Sequence, residues 1–169
     1  TLFVLVAFDF VTSLLVWICL LNSVISSSNW LILSSALVLL NELKADPNFE
    51  NLSIGIITFY AKQVNELFKE ASKKGYAELK SDGNYEIALQ YRETSDGREK
   101  LRIGSVDSFQ GKEFDIVILS TVRSNAINRN HDNFKKVFGF LTLENRLNVS
   151  FSRAQKLLIV VGDGEMFAD

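Results

Sequence analysis

Cysteine, histidine, methionine and proline occur once each in this 169-residue chain, at Cys19, His131, Met166 and Pro47. A single cysteine excludes an internal disulfide, and one cysteine with one histidine excludes the clusters that hold structural zinc. A reducing, intracellular compartment (cytoplasm or nucleus) is therefore expected. The chain opens on Thr1 and its methionine stands near the far end, so a fragment rather than a whole translated product is expected. Basic residues are absent until Lys44. That removes the positive start of a secretory signal and the flanking charge that would orient a membrane helix.

In their place the chain is apolar. Residues 1–34 hold 23 hydrophobic side chains and no Lys or Arg. Leu2 to Leu21 is about the length a membrane helix needs, but Asp9 inside it costs roughly 2.5–3.5 kcal/mol near a bilayer centre. Three readings compete: a membrane span, a buried strand and helix of the fold, or sequence foreign to the domain. The third is expected, with 1–34 set apart from a domain over 35–169, because the segment has no turn chemistry to join it to the chain beyond residue 34; membrane contact stays an unfavoured alternative. The formal charge is −2, yet from Arg98 to Lys156 eleven basic residues face six acidic ones. Phosphate or nucleic acid would be drawn to that stretch, unless it is only scattered solvated charge.

From Ser35 the pattern is that of an α/β domain. Ser35 can cap a helix toward Asp46 carrying Leu37, Leu40 and Leu43, which Pro47 and Asn48 end. Ser53 to Thr58 (SIGIIT) reads as a buried parallel strand. Val64, Leu67, Phe68 and Ala71 then recur at helical spacing, with Lys73, Lys74 and Gly75 as a stop. Residues 77–100 hold two turn signals, SDGN and SDG, and read as an insertion; Tyr85 to Tyr91 fits an edge strand or a helix equally. Leu101 to Val106, Asp115 to Thr121 and Lys156 to Gly162 are three more short apolar strands. Strands alternating with helices imply a mainly parallel sheet with helices on its faces.

Two constellations can carry chemistry. Asp107 to Glu113 (DSFQGKE) connects two core strands, so it is expected at the carboxyl end of the first, where open parallel sheets bind ligands. Gly111 permits close backbone approach, Gln110 and Glu113 offer amide and carboxylate groups to hydroxyls, and Ser108 can reach a phosphate. A polar loop with a turn glycine is the plain alternative. In Leu143 to Gln155 (LENRLNVSFSRAQ), Leu143, Leu147, Phe151 and Ala154 recur at helical spacing and should pack on the sheet. Two helical turns would align Arg146 and Arg153 on one flank, suited to the charge on a γ-phosphate. A pair of surface salt bridges is the alternative there.

SVDSFQGKEFDIVILSTVRSN followed by GFLTLENRLNVSFSRAQKLLIVVGD resembles motifs V and VI of superfamily 1 helicases, close to the Upf-like and Senataxin-like branch. SIGIITFYAKQV resembles that branch's motif IV, so the likeness covers roughly residues 35–169 in the right order. The resemblance implies a RecA-like three-layer domain, the second of two that close on ATP while stepping along single-stranded RNA or DNA. Arg153 would be the finger on the γ-phosphate and Arg146 would support the same cleft. Glu113 would bind the ribose hydroxyls, with Gln110 and Gly111 lining the nucleotide site. Thr58, Tyr60, Ser108 and Arg123 would face the nucleic-acid backbone, which gives affinity without sequence specificity.

Two departures stand out. Phe59 occupies the place where family members usually carry proline, and Ser152 replaces the usual threonine while keeping the hydroxyl. The motif G-x-x-x-x-G-K-[ST] is absent, as is an acidic metal-holding strand, so the triphosphate cradle and the Mg2+ site are expected on the N-terminal RecA-like domain. This chain by itself is expected to be inactive. The alternative class is a non-catalytic RecA-like module that binds nucleic acid or protein. RNA and DNA are not distinguished by these motifs.

Overall fold

A computed structural model describes residues 2–8, 14–18, 29–121 and 134–163. Six strands form one sheet in the order β2-β1-β8-β7-β3-β6. Its central part is four parallel strands: β3 (Ile54–Thr58), β6 (Leu101–Ser105), β7 (Phe114–Ser120) and β8 (Ala154–Asp163). β3 lies between β6 and β7, and β8 pairs with the other side of β7. The strand bounds lie within about two residues of those read from the sequence, because runs such as DIVILS bury every residue when both sheet faces are covered.

Alternation along the strands divides the core in two. Ile54, Ile56, Leu101, Ile103, Ile116 and Ile118 face α1 (Asn29–Leu43) and α2 (Ala61–Lys73), meeting Leu37, Leu40, Leu67 and Ala71. On the opposite face Ile57, Val117, Leu119 and Val160 are covered by Val106, Phe109, Val137 and Leu141. Those covers come from the β6–β7 connection, from α3 (Phe134–Phe138) and from the turn before α4 (Glu144–Phe151). The result is the expected three-layer α/β arrangement.

α2 ends as its sequence requires. Gly75 has φ +78°, and Tyr76 N–H and Gly75 N–H donate back to the carbonyls of Ala71 and Ser72 at 2.8 and 3.1 Å, the paired bonds of a glycine-terminated helix. α1, in contrast, starts at Asn29 rather than Ser35. The apolar period in residues 30–34 belongs to that helix, so the expected boundary after residue 34 falls inside it. The chain ahead of α1 contributes β1 (Leu2–Phe8) and β2 (Leu14–Ile18), with β1 antiparallel to β8. Among the described residues no helix is long and apolar enough to cross a membrane.

Tyr85 to Tyr91 divides between the two alternatives. β5 (Tyr85–Ile87) pairs antiparallel with β4 (Ala77–Leu79) in a separate hairpin, and Leu89–Tyr91 comes next as a 3-10 turn. Gly83, with φ +83°, supplies the left-handed residue of the hairpin turn. Tyr91 then lies 5.0 Å from Tyr76, ring to ring, and accepts a 2.9 Å hydrogen bond from Lys44 Nζ, which ties the insertion to the end of α1.

Two glycines decide how the β6–β7 connection is seated. A Cβ on Gly55 would meet Phe109 Cε1 at 2.6 Å, and one on Gly104 would meet Ser108 Oγ at 2.2 Å. The connection lies flat on the sheet only because those two strand positions have no side chain. Ser108 Oγ is a side-chain end that can rotate away, whereas the Phe109 ring is fully buried against Phe114. Gly55→Ala is therefore expected to cost about 1–3 kcal/mol by overpacking and Gly104→Ala less, as urea unfolding midpoints would measure.

Candidate functional site

β6 and β7 run parallel without touching, since β3 separates them. The chain leaving β6 at one end of the sheet must therefore return to the other end before β7 begins. Ser105 is level with Thr58 and Ser120, while Leu101, Ile54 and Ile116 are level four residues below. From Ser105 to Glu113 the level changes by seven residues of strand, roughly 20 Å. An eight-residue helix would cover only about 12 Å. The connection instead runs as the 3-10 turn Val106–Phe109 and a tight turn at Gln110–Gly111, closed by the Lys112 N–H donating to the Phe109 carbonyl at 3.1 Å, before Lys112 and Glu113 lead into β7.

The DSFQGKE segment thus has its two halves at opposite edges. The expectation that it lies wholly at the carboxyl end of the first strand is corrected: Asp107 and Ser108 are there, but Lys112 and Glu113 stand at the amino edge, beside the starts of β7 and β8. Gln110 and Gly111 lie between, both exposed, and Gly111 has φ +76° with open space where a side chain would be.

The second constellation is also arranged differently from its periodicity. α4 stops at Phe151, and Arg153 lies in the turn that enters β8, not on the helix. The reason is a ladder bond: Phe114 N–H donates to the Arg153 carbonyl at 2.9 Å, committing that backbone to the sheet. Of the expected apolar stripe, Leu147 and Ala154 pack in the second core, whereas Leu143 and Phe151 are exposed. Arg146 and Arg153 consequently hold opposite ends of the connection. Arg146 Nη2 donates to Asp107 Oδ2 at 3.0 Å, and Arg153 Nη1 donates to the Lys112 carbonyl at 3.2 Å.

Arg153, half-buried, is fixed from three sides. Nε donates to the Val149 carbonyl at 3.0 Å and Nη2 to Ser152 Oγ at 2.8 Å, while the Ser152 hydroxyl itself donates to the Val149 carbonyl at 3.1 Å. The hydroxyl kept at position 152 therefore braces the guanidinium. Of its five N–H donors, three are engaged among the described residues, leaving one on each terminal nitrogen. Glu113 is held from the other side, its Oε2 accepting 2.9 Å from Gln155 Nε2. Arg153 and Glu113 are brought to one edge, with Gly111 in the turn just before it, whereas Arg146 makes no hydrogen bond or ion pair with any of them among the described residues. Asp107 and Gln155 went unassigned in the sequence; nothing in a linear pattern marks partners 39 and 42 positions away.

The described residues expected to face nucleic acid, Thr58, Tyr60 and Ser108, lie at the carboxyl edge, where Thr58 is level with Ser105. Thr58 is fully buried at the end of β3 and donates to Gln63 Oε1 at 2.8 Å, so a contact with a strand requires that bond to open. Tyr60 is half-buried beside it, and Ser108 is exposed with its hydroxyl donating to the Ser105 carbonyl at 2.7 Å. Arg123 lies outside the described residues. Phe59, at the position of the family's proline, is buried in the second core.

The amino edge has strong electrostatic bracing. Asp115, 1% exposed, accepts from the Ser53 N–H and hydroxyl and from Arg98 Nη1 at 2.9–3.0 Å, and its second oxygen pairs with Lys156 at 2.8 Å. Burial pushes its pKa up, but the bonds from Lys156, Ser53 and Arg98 outweigh burial and hold it at about 2. Glu99 is likewise raised by burial and lowered, on balance, by Lys112 and Arg102; its 2.8 Å bond to Lys112 fixes the connection's far end.

An α/β sheet of this order, with four parallel strands at its centre, is that of a domain of the RecA-like, P-loop NTPase type. Comparison with known proteins makes the class specific. A family model described as an AAA domain matches residues 26–165, and the chain belongs to that family, within the Upf-like superfamily 1 helicases. It is 41% identical over 110 residues to a Danio rerio protein named helicase mov-10-B.1, which covers 65% of this chain and 9% of that protein. The mouse (Mus musculus) RNA helicase Mov10l1 is 33% identical over 110 residues, 65% of this chain and 7% of its own length. The DNA polymerase alpha-associated DNA helicase A of Saccharomyces cerevisiae is 36% identical over 119 residues, 70% of this chain and 13% of its own. The chain thus spans about a tenth of the relatives it matches.

The Asp115 brace gives a pH prediction. Its folded pKa lies below the unfolded value, so the stabilisation is present above about pH 4 and is lost as pH falls toward 2. Asp115→Asn should be roughly 2 kcal/mol less stable at pH 7, with the gap to the native chain closing at acid pH in urea titrations.

Proposed function

We propose that this domain is the second RecA-like half of an ATP-dependent helicase or translocase, and that Arg153 is its arginine finger. The observation that carries this is the amino edge itself: a guanidinium fixed by Val149, Lys112 and Ser152, with two N–H donors left, beside a carboxylate held by Gln155. The donor set fits a nucleoside triphosphate. Guanidinium suits an anionic phosphoryl group, a carboxylate suits ribose hydroxyls, and Gly111 leaves room for close approach.

In this reading Glu113 accepts from the ribose hydroxyls through the oxygen that Gln155 does not hold, and Gln110 and Gly111 line the wall. Hydrolysis develops negative charge on the γ-phosphoryl oxygens. A guanidinium already held in direction needs little reorganisation to meet that charge. Arg146 acts on the cleft at a distance, through Asp107 at one end of the connection whose other end Arg153 holds. The triphosphate cradle and Mg2+ belong to the N-terminal RecA-like partner; among the described residues no cluster of three or more acidic, histidine or cysteine groups is arranged for a metal.

A single strand of RNA or DNA would cross the opposite, carboxyl edge near Tyr60 and Ser108, with Thr58 and Arg123 as further contacts. The relatives' names include both an RNA helicase and a DNA helicase, so both strands belong in the assay. Arg153→Ala in the full-length protein is expected to lower ATP turnover by roughly a thousandfold while strand binding in a filter or anisotropy assay is retained. Unaltered ATPase activity would reject the assignment.

A further inference from the structure

Phe140 is a large apolar side chain that is 41% exposed, which is unusual for a ring standing next to a core. It occupies the 3-10 turn Gly139–Thr142 ahead of α4, and its neighbours account for its place. The Arg146 guanidinium carbon lies over the Phe140 ring, 4.9 Å from its centre. The Tyr60 ring lies 5.1 Å from the same ring, tilted by 37°, and Phe140 N–H donates to the Tyr60 hydroxyl at 3.4 Å. Arg146 in turn pairs with Asp107. Residues from the end of β3, the turn before α4, α4 itself and the β6–β7 connection thus form one continuous series: Tyr60, Phe140, Arg146, Asp107.

We propose that Phe140 is a positioning residue for Arg146, and that it links strand binding at Tyr60 to ATP turnover. The inference rests on the proposed function above and adds to it a residue and a direction of coupling. An arginine side chain has many rotamers, and the Asp107 pair alone restrains it weakly, because Asp107 is 66% exposed and exposed ion pairs contribute little. A ring beneath the guanidinium restricts it further by electrostatic attraction to the π face, which a thinly hydrated, planar cation favours. Tyr60 is an aromatic of the kind on which the bases of a single strand stack. Because the Tyr60 and Phe140 rings are in contact, a base settling on Tyr60 shifts or stiffens Phe140, Arg146 moves with it, and through Asp107 the shift enters the β6–β7 connection, whose other end accepts from Arg153.

The test uses the full-length protein, with ATPase rates measured with and without polyuridylate or oligothymidylate. Phe140→Leu keeps an apolar side chain and removes the π face; Phe140→Tyr keeps both. Strand-stimulated kcat of Phe140→Leu is expected to fall by about fivefold, the order of one lost cation–π contact. KM for ATP should change less than about twofold, since the contact acts on turnover rather than binding. Phe140→Tyr should restore stimulation. Tyr60→Leu combined with Phe140→Leu should be no worse than the more impaired single variant, because both break one series.

Undiminished stimulated kcat in Phe140→Leu, equal impairment in Phe140→Tyr, or additive losses in the double variant would each overturn the coupling while leaving the Arg153 assignment intact. If the native protein shows no strand-stimulated ATPase, the functional reading falls and takes this inference with it. Should Phe140→Leu fail to fold by circular dichroism, Phe140→Met fills similar space without a π face and carries the same expectations.

Discussion

The structure depends on one topological constraint: β6 and β7 are parallel, and β3 lies between them. A connection of eight residues must then span the full height of the sheet, for which a continuous helix of that length is too short, and it does so as a 3-10 turn followed by a tight turn at Gln110–Gly111. Everything distinctive about the site stems from that crossing. The connection touches both edges, it must lie flat, and lying flat requires the missing side chains of Gly55 and Gly104. Phe109 and Phe114 then seal it to the sheet as part of the second core.

A segment in contact with both edges is a physical basis for two events at opposite ends of one domain to affect each other. Its upper end is tied to Arg146 through Asp107, and its lower end to Arg153 and Glu99 through Lys112. α4 runs beside it and supplies one arginine near its start, with the second just past its finish. The lower edge is braced by the buried Asp115 carboxylate, which ties the starts of β3, β7 and β8 together through Ser53, Arg98 and Lys156. In the proposed role, a guanidinium that meets developing charge is better placed on such an edge than on a mobile loop.

Much of the fold was legible because its signals are local. The fully buried strands read as apolar runs, and α2 declares its buried stripe and its glycine stop. Local signals also misled. Helical spacing continues from Leu143 through Ala154, yet a ladder bond from Phe114 to the Arg153 carbonyl ends the helix earlier; strand pairing overrode periodicity. The start of α1 was missed because the same apolar run serves the helix and the segment before it. The joining of Asp107 to Arg146, Gln155 to Glu113 and Tyr60 to Phe140 depends on how the chain crosses the sheet. Composition and spacing carry no record of that; the motif resemblance supplies Arg153, Glu113 and Gly111 only as candidates.

The central claim is that nucleotide is met at the amino edge of β7 and β8, by the residues at the lower end of the connection. A crystal structure of the full-length protein with a non-hydrolysable ATP analogue tests this most directly. The account predicts the γ-phosphate within hydrogen-bond reach of the Arg153 terminal nitrogens and the ribose hydroxyls against Glu113. Nucleotide bound instead at the carboxyl edge, against Ser105 to Ser108, would contradict it.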